Sequence, residues 1–202
     1  MIMKDIIFTI GRSFGSGGKE VGELLAQKLG VPFFDRELLA EAAKESEYTE
    51  KIFETFDEQP VKSTLYSMAM GNFPMFGESM PISMQANLAQ MQTIQKVASE
   101  NKSCVIVGRC SDFALREFDN VVNVFITADK QARIKRICER AKVDEKTAAA
   151  EMKKIDKARA SYYNYYTENR WGDARNYNLC LDSGLIGTKG CVNVILAYAE
   201  LI

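Results

Sequence analysis

Four glycines fall within the eight residues GRSFGSGG, at positions 11, 15, 17 and 18, and Lys19 and Glu20 follow at once. Glycines let successive backbone N–H groups turn inward around an anion, and a helix starting there adds its own free N–H groups and positive dipole end. Gly11, Ser13, Gly15, Ser16, Gly17 and Gly18 are therefore candidates for a phosphate cradle, with Lys19 and Glu20 at its exit. The strict spacing GxxxxGK[ST] is absent. Counted back from Lys19, the first required glycine is Ser13, and the hydroxyl that would face magnesium is Glu20. Counted from GSG instead, Gly18 stands at the lysine position and Lys19 comes one residue late. Two readings stay open: a cradle with a displaced ammonium, or a glycine-rich turn without a ligand. Four glycines exceed what a plain turn needs.

Other residues share the chemistry of anions. Arg109, in VGRCSD, follows an apolar run directly, where packing gives little reason for a guanidinium and phosphate or carboxylate recognition gives a good one. Arg133, Arg136 and Arg140 recur at helical spacing, either as a row facing phosphates or as a solvated basic face. Asp156 and Arg159 share a helix face three residues apart, as a functional pair or a surface ion pair. Asp35, ending VPFFD, could anchor a hydrated magnesium ion or cap the helical segment after it. Tyr162, Tyr163, Tyr165 and Tyr166 could stack on a base or pack into the core. Trp171 and Arg170 stand where they could cap a nucleotide pocket. There is no histidine, so serine–histidine and cysteine–histidine catalysis are excluded.

These residues need a scaffold, and the pattern of apolar runs provides one. Strands are expected at 5–10, 31–35, 104–108, 121–126 and 177–182. Helices are expected at 19–29, 36–45, 47–58, 84–100, 129–141, 144–166 and 188–200. Five short apolar strands alternating with helices imply an α/β fold with a parallel sheet covered on both faces. On such sheets ligands bind at the carboxyl ends of the strands, where the loops starting at Gly11, Asp35, Gly108, Thr127 and Asp182 converge. Residues 60–82 differ in composition, rich in Met, Phe, Gly and Pro, and read as a flap over an apolar surface.

The bulk numbers limit the alternatives. The chain has 202 residues, 47% hydrophobic content and a net charge of −1, which suits one globular domain. A non-specific nucleic-acid binder would need a large basic excess, so no nucleic-acid partner is expected. Five cysteines without a CxxC pair suit reduced thiols, with Cys104, Cys180 and Cys191 expected in the core. No apolar stretch reaches membrane-spanning length, and the expected setting is the cytoplasm, without a membrane partner.

The segment FTIGRSFGSGGKEVGELLAQKLGVPFFDRELL (8–39) resembles the opening of cytidylate kinases and, more closely, of the cytidylate kinase-like family. The resemblance continues at VIVGRCSDFALREFDNVVNVFITADKQARIKRI (105–137) and IDKARASYYNYYTENRWGDARNYNLCLDSGLIG (155–187). It implies a three-layer P-loop NTPase-like fold in one domain, 1–202, with an acceptor-side helical insertion at 36–101 and a lid at 133–170. It also implies an ATP- and Mg²⁺-dependent phosphotransferase acting on a nucleoside monophosphate, CMP- or dCMP-like, or on another small acceptor. The matched roles are Lys19, Arg109, Arg136 and Arg159 in catalysis, residues of 11–20 on the donor phosphates, and Asp35 at the metal. Asp35, Arg36, Arg109, Asp156 and Arg159 would meet the acceptor. The chain departs from the family pattern at Glu20, Arg36, Glu41, Val107 and Cys110, positions on which cytidine selectivity partly rests. A nucleotide-responsive binding protein with little transfer activity is the other reading, and a homo-oligomer through the Met-rich segment is a further expectation.

Overall fold

The computed structural model describes residues 5–35 and 82–202, with side chains of the second stretch from Asn87 onward. The expected helices at 36–45 and 47–58, almost all of the Met-rich flap, and Arg36 and Glu41 lie outside the described residues. The chain runs β1 (Ile7–Arg12), α1 (Gly18–Leu29), β2 (Phe33–Phe34), α2 (Ile82–Glu100), β3 (Cys104–Val107) and α3 (Ser111–Ala114). It continues with β4 (Val121–Thr127), α4 (Lys130–Ala141), α5 (Glu145–Thr167), a 3₁₀ turn (Ala174–Asn176), β5 (Leu179–Asp182) and α6 (Ser183–Ala199).

All five strands are parallel, in the order β2-β3-β1-β4-β5. The chain thus begins at the centre, builds one side through β3 and β2, then crosses to build the other. Strand order reverses beside β1, and the crevice this leaves at the carboxyl end is where ligands settle on such sheets. Alternation along β1 distributes the core. Ile6, Phe8 and Ile10 pack with Val21 and Leu25 of α1 and Val192 and Ile195 of α6. Ile7 turns the other way, against Ile94 and Val97 of α2 and Leu115 beyond α3. Residues 82–100, counted with the insertion in the sequence reading, therefore form a covering helix of the sheet. Gly22 lets α1 lie close on β3 and β2, because a Cβ there would come 2.7 Å from Val107 and 3.0 Å from Phe33.

The third cluster stands apart from the sheet. Ile134 and Ile137 of α4 meet Ala148 and Met152 of α5, and Phe14 from the glycine loop packs against them. The helical pair is therefore seated on the loop itself.

Two expectations need correction. Cys104 and Cys191 are buried, but Cys180 is exposed. Its neighbours Leu179 and Leu181 pack into the core, so Cys180 points to the opposite face of an edge strand. The expected helix from Thr188 is preceded by one helical turn from Ser183, joined to it across a non-helical Gly187 (φ 70, ψ 170), so α6 is longer than expected at its start. No described helix is long and apolar enough to cross a membrane.

Candidate phosphate-binding and acceptor site

At the carboxyl end of β1 the chain turns through residues 13–17, with Gly15 and Gly17 both at φ 78. That left-handed conformation costs most residues 1–2 kcal/mol or so and costs glycine little. At both positions a side chain would also crowd its neighbours: a Cβ on Gly15 would lie 2.9 Å from the Arg133 carbonyl oxygen, and one on Gly17 would lie 3.0 Å from Thr188. The turn is held from below. The Ser13 N–H donates to the Ile126 carbonyl at 3.0 Å, and the Ser183 hydroxyl donates to the carbonyls of Ser16 and Thr127.

The start of α1 differs from the starts of α4, α5 and α6. Asp129, Asp144 and Asp182 cap α4, α5 and α6 by accepting from their first amides. Gly17 caps α1 with no side chain at all. The opening N–H groups of α1 are therefore left to something other than a cap. Ser16 adds a second sign: its hydroxyl is fully buried and has no hydrogen-bond partner among the described residues. A buried polar atom in that state costs free energy unless a ligand or water meets it.

The basic residues of α4 and α5 grip the loop. Asp156 accepts from the Phe14 N–H at 2.8 Å and from the Arg133 guanidinium, which also donates to the Phe14 carbonyl at 2.7 Å. Arg136 donates to the Gly15 carbonyl at 3.0 Å, and Arg159 donates to the Arg12 carbonyl at 3.3 Å. The Phe14 ring lies 5.4 Å from the Arg140 guanidinium and 5.7 Å from that of Arg159, within cation–π range. Arg133 and Asp156 thus hold the loop backbone. Arg136, Arg140 and Arg159 rim a cleft of ≈ 790 Å³ that the loop floors.

Lys19 lies at the edge of this cleft, and its ammonium sits 2.6 Å from the buried Asp35 carboxylate. Glu20 accepts from the Thr188 hydroxyl at 2.9 Å. Both residues after the glycines are thus engaged with protein partners. Gly11 makes room for aromatic packing, since a Cβ would lie 2.9 Å from the Phe125 ring.

Across β1 from α4, the end of β3 makes a tight left-handed turn. Gly108, Arg109 and Cys110 have φ of 79, 60 and 52, two of them non-glycine residues. The turn buries Arg109 and aims its guanidinium at the side-chain Oε1 of Gln90, 3.1 Å away, while the Gln90 side-chain Nε2 donates back to the Arg109 backbone carbonyl at 3.3 Å. A narrow cavity of ≈ 30 Å³ opens beside it, walled by Tyr162, Tyr163, Trp171 and Tyr177 and bordered by Asp112 and Arg109. Tyr163 donates to Asp112 at 2.6 Å, and the Tyr162 hydroxyl accepts from Asn87 and Gln90. Trp171 meets Phe125 edge to face, and Tyr177 packs on it at a tilt of 43°. Tyr165 and Arg170 face solvent.

Burial pushes the Asp112 carboxyl up from its ordinary 3.8, while the Tyr163 hydroxyl and the amides opening α3 pull against it. The folded chain then holds that proton more tightly than the unfolded chain does. This residue's contribution to stability is therefore greatest in acid and falls as pH rises from 3.8 through the elevated folded value. Asp112→Asn removes the titration, and its unfolding free energy is expected to lose less than wild type's across that interval. Parallel pH–stability curves in urea for the two proteins would reject this account.

Sequence reasoning passed over Arg12, Gln90, Tyr177 and Ser183. Offsets along the chain cannot show a strand-end side chain crossing to the next strand, or a distant helix supplying an amide. The one available signal was Arg12's place inside the glycine run.

A central first strand, a glycine turn into an uncapped helix and an arginine-bearing helical pair over that turn define a P-loop kinase-like α/β protein. The family profile described as "Cytidylate kinase-like family" matches residues 7–185, and the chain belongs to that family. A crystal structure of an uncharacterized protein from Eubacterium ventriosum ATCC 27560 is 34% identical, covers 96% of this chain and 98% of its own, and superposes with a TM-score of 0.74. Shikimate kinase from Bacteroides thetaiotaomicron shares the fold at 12% identity, TM-score 0.53, over 96% and 98% of the two chains. A gluconokinase from Sinorhizobium meliloti 1021 does so at 13% identity, TM-score 0.50, over 98% and 96%. Among functionally curated proteins no match was found.

Proposed function

We propose that this protein transfers the γ-phosphoryl group of ATP, bound with Mg²⁺, to a small acceptor, with a CMP- or dCMP-like nucleoside monophosphate as the first candidate. One observation carries the reading: the side-chain-uncapped start of α1 and the unpartnered Ser16 hydroxyl lie on a loop that floors a cleft rimmed by three arginines.

The residues fit the phosphates of a nucleotide. The loop, the start of α1 and the guanidinium groups of Arg136, Arg140 and Arg159 border the cleft, and the buried Ser16 hydroxyl belongs to the same loop. For magnesium the chain offers Asp35, a buried carboxylate at the end of β2, beside Lys19. No group of three His, Cys, Asp or Glu closes on a point among the described residues. That suits an ion held chiefly by phosphate oxygens and water with one or two carboxylates. Bound there, ATP with Mg²⁺ supplies an activated phosphoryl group.

The protein's own share is positioning and charge neutralisation, which is most of what phosphoryl transfer demands. Arg136 and Arg159 stabilise negative charge above the loop, and Arg109 orients an anionic acceptor from the far side. The aromatic wall excludes water. A cavity of ≈ 30 Å³ admits about one water molecule, so the acceptor enters by displacing side chains of that wall.

A nucleotide-responsive binding protein is the second reading, favoured by Lys19 and Glu20 both being held by protein partners. A thermal-shift panel of ATP–Mg²⁺ with each common nucleoside monophosphate, followed by product analysis, separates the two. Kinase activity predicts stabilisation by donor and acceptor together with ADP formation. Nucleotide binding with no product from any acceptor supports the second reading, and no stabilisation by any nucleotide rejects both.

A further inference from the structure

We infer that Arg12 serves as the cation of the phosphate loop, filling from the end of β1 the place that a lysine at position 18 would fill from the start of the helix. The inference rests on the cleft binding ATP–Mg²⁺ as proposed above, and it goes further by assigning the γ-phosphate to a residue outside the usual motif spacing.

Three observations support it. The first concerns Gly18, which stands at the lysine position when the loop is counted from GSG. A Cβ built on Gly18 would lie 2.4 Å from the Cβ of Arg12 and 3.0 Å from its Cγ. No lysine could leave the helix there, because the stem of Arg12 already occupies that space. The second concerns Gly108, at the end of the neighbouring strand. A Cβ on Gly108 would fall 1.8 Å from Nη1 of Arg12 and 2.7 Å from its Cζ, so the Nη1 end of the guanidinium occupies the space a side chain there would take. Arg12 therefore bridges β1 to the end of β3 across the point where strand order reverses. The third is its position between the two cavities. Among the residues lining both the large cleft and the narrow aromatic cavity are Arg12 and Arg159, and Arg159 is itself tied to the Arg12 carbonyl at 3.3 Å. A phosphoryl group passing from one cavity to the other crosses this seam.

Lys19 lies one residue further along the helix and meets Asp35. A guanidinium suits the seam better than an ammonium would. Its planar donor fork can hold two oxygens at once, and it is pre-organised by its stem packing on Gly18 and its guanidinium on Gly108.

The test compares ATP–Mg²⁺ and ADP–Mg²⁺ affinities by calorimetry for wild type, Arg12→Met and Arg12→Lys. Methionine keeps an unbranched stem against Gly18 and removes the charge. The unliganded melting temperature of each variant reports folding separately. A γ-phosphate contact predicts that Arg12→Met loses about tenfold in ATP affinity, the size of one charged hydrogen bond, with ADP affinity changed much less. Arg12→Lys should recover part of the difference. Wild-type ATP-over-ADP preference in a folded Arg12→Met protein would overturn the inference while leaving the cleft reading intact. If Arg12→Met does not fold, Arg12→Lys decides, because an unchanged ATP:ADP ratio there is also incompatible with a bidentate contact. Absence of ATP binding in wild type would overturn both.

Discussion

Replacing Asp156 with alanine is expected to destabilise the protein by about 2–3 kcal/mol and to weaken ATP–Mg²⁺ binding at least about tenfold. The carboxylate serves two donors on different elements, the Phe14 N–H of the loop and the Arg133 guanidinium of α4. Its removal takes away Arg133's carboxylate partner on α5, leaving the bond from Arg133 to the Phe14 carbonyl, and leaves the Phe14 amide without that acceptor. Breaking a fully buried ion pair costs about 3–5 kcal/mol, and the partial exposure of this one, at 12% and 21% of the two side chains, reduces that figure. Asp156→Asn keeps an acceptor for Phe14 but loses the charge, so it should fall between. Urea denaturation reads the stability and calorimetry the affinity. A fully stable alanine variant would refute the role of Asp156 as the clamp on the loop.

Arg109→Ala is expected to act on turnover more than on fold. Its guanidinium is buried beside the aromatic cavity and steered by Gln90. Losing the group that orients the acceptor and so misplacing it by about 1 Å costs on the order of 10² in rate. Gln90→Ala leaves the charge and removes the steering, so a smaller loss, mainly in kcat rather than KM, is expected. Steady-state kinetics with an acceptor identified from the thermal-shift panel would check both. Equal kcat in wild type and Arg109→Ala would remove Arg109 from the site.

The sequence was most informative where the physics is local. The run before Gly11, the helical spacing of Val21, Leu25 and Leu29, and the stop at Gly30 located β1 and α1 to within two residues. Helices α4 and α5 were equally plain, and the structure makes their expected first residues, Asp129 and Asp144, the caps. α3 was not visible, because four residues carry no periodicity. The candidate site was legible as a set of residue types gathered at one sheet edge, and less so as a set of contacts. Lys19 took its role from the family resemblance although the spacing sets it one residue late, and sequence offsets could not show that the fold brings the end of β2 within reach and pairs it with Asp35. Asp156 and Arg159 looked like one acid–arginine pair on a helix, yet each reaches separately to the loop backbone. Cys180 was misjudged because the strand that carries it has a neighbour on one side only.

The left-handed turn at Gly108, Arg109 and Cys110 has a consequence for anyone improving this protein by selection. Two side-chain-bearing residues sit in a conformation that costs roughly 1–2 kcal/mol apiece relative to glycine. A screen for heat resistance alone should therefore enrich glycine or asparagine at positions 109 and 110. The winners at 109 would be sturdier proteins stripped of the guanidinium, so robustness and turnover should evolve in opposite directions at this corner.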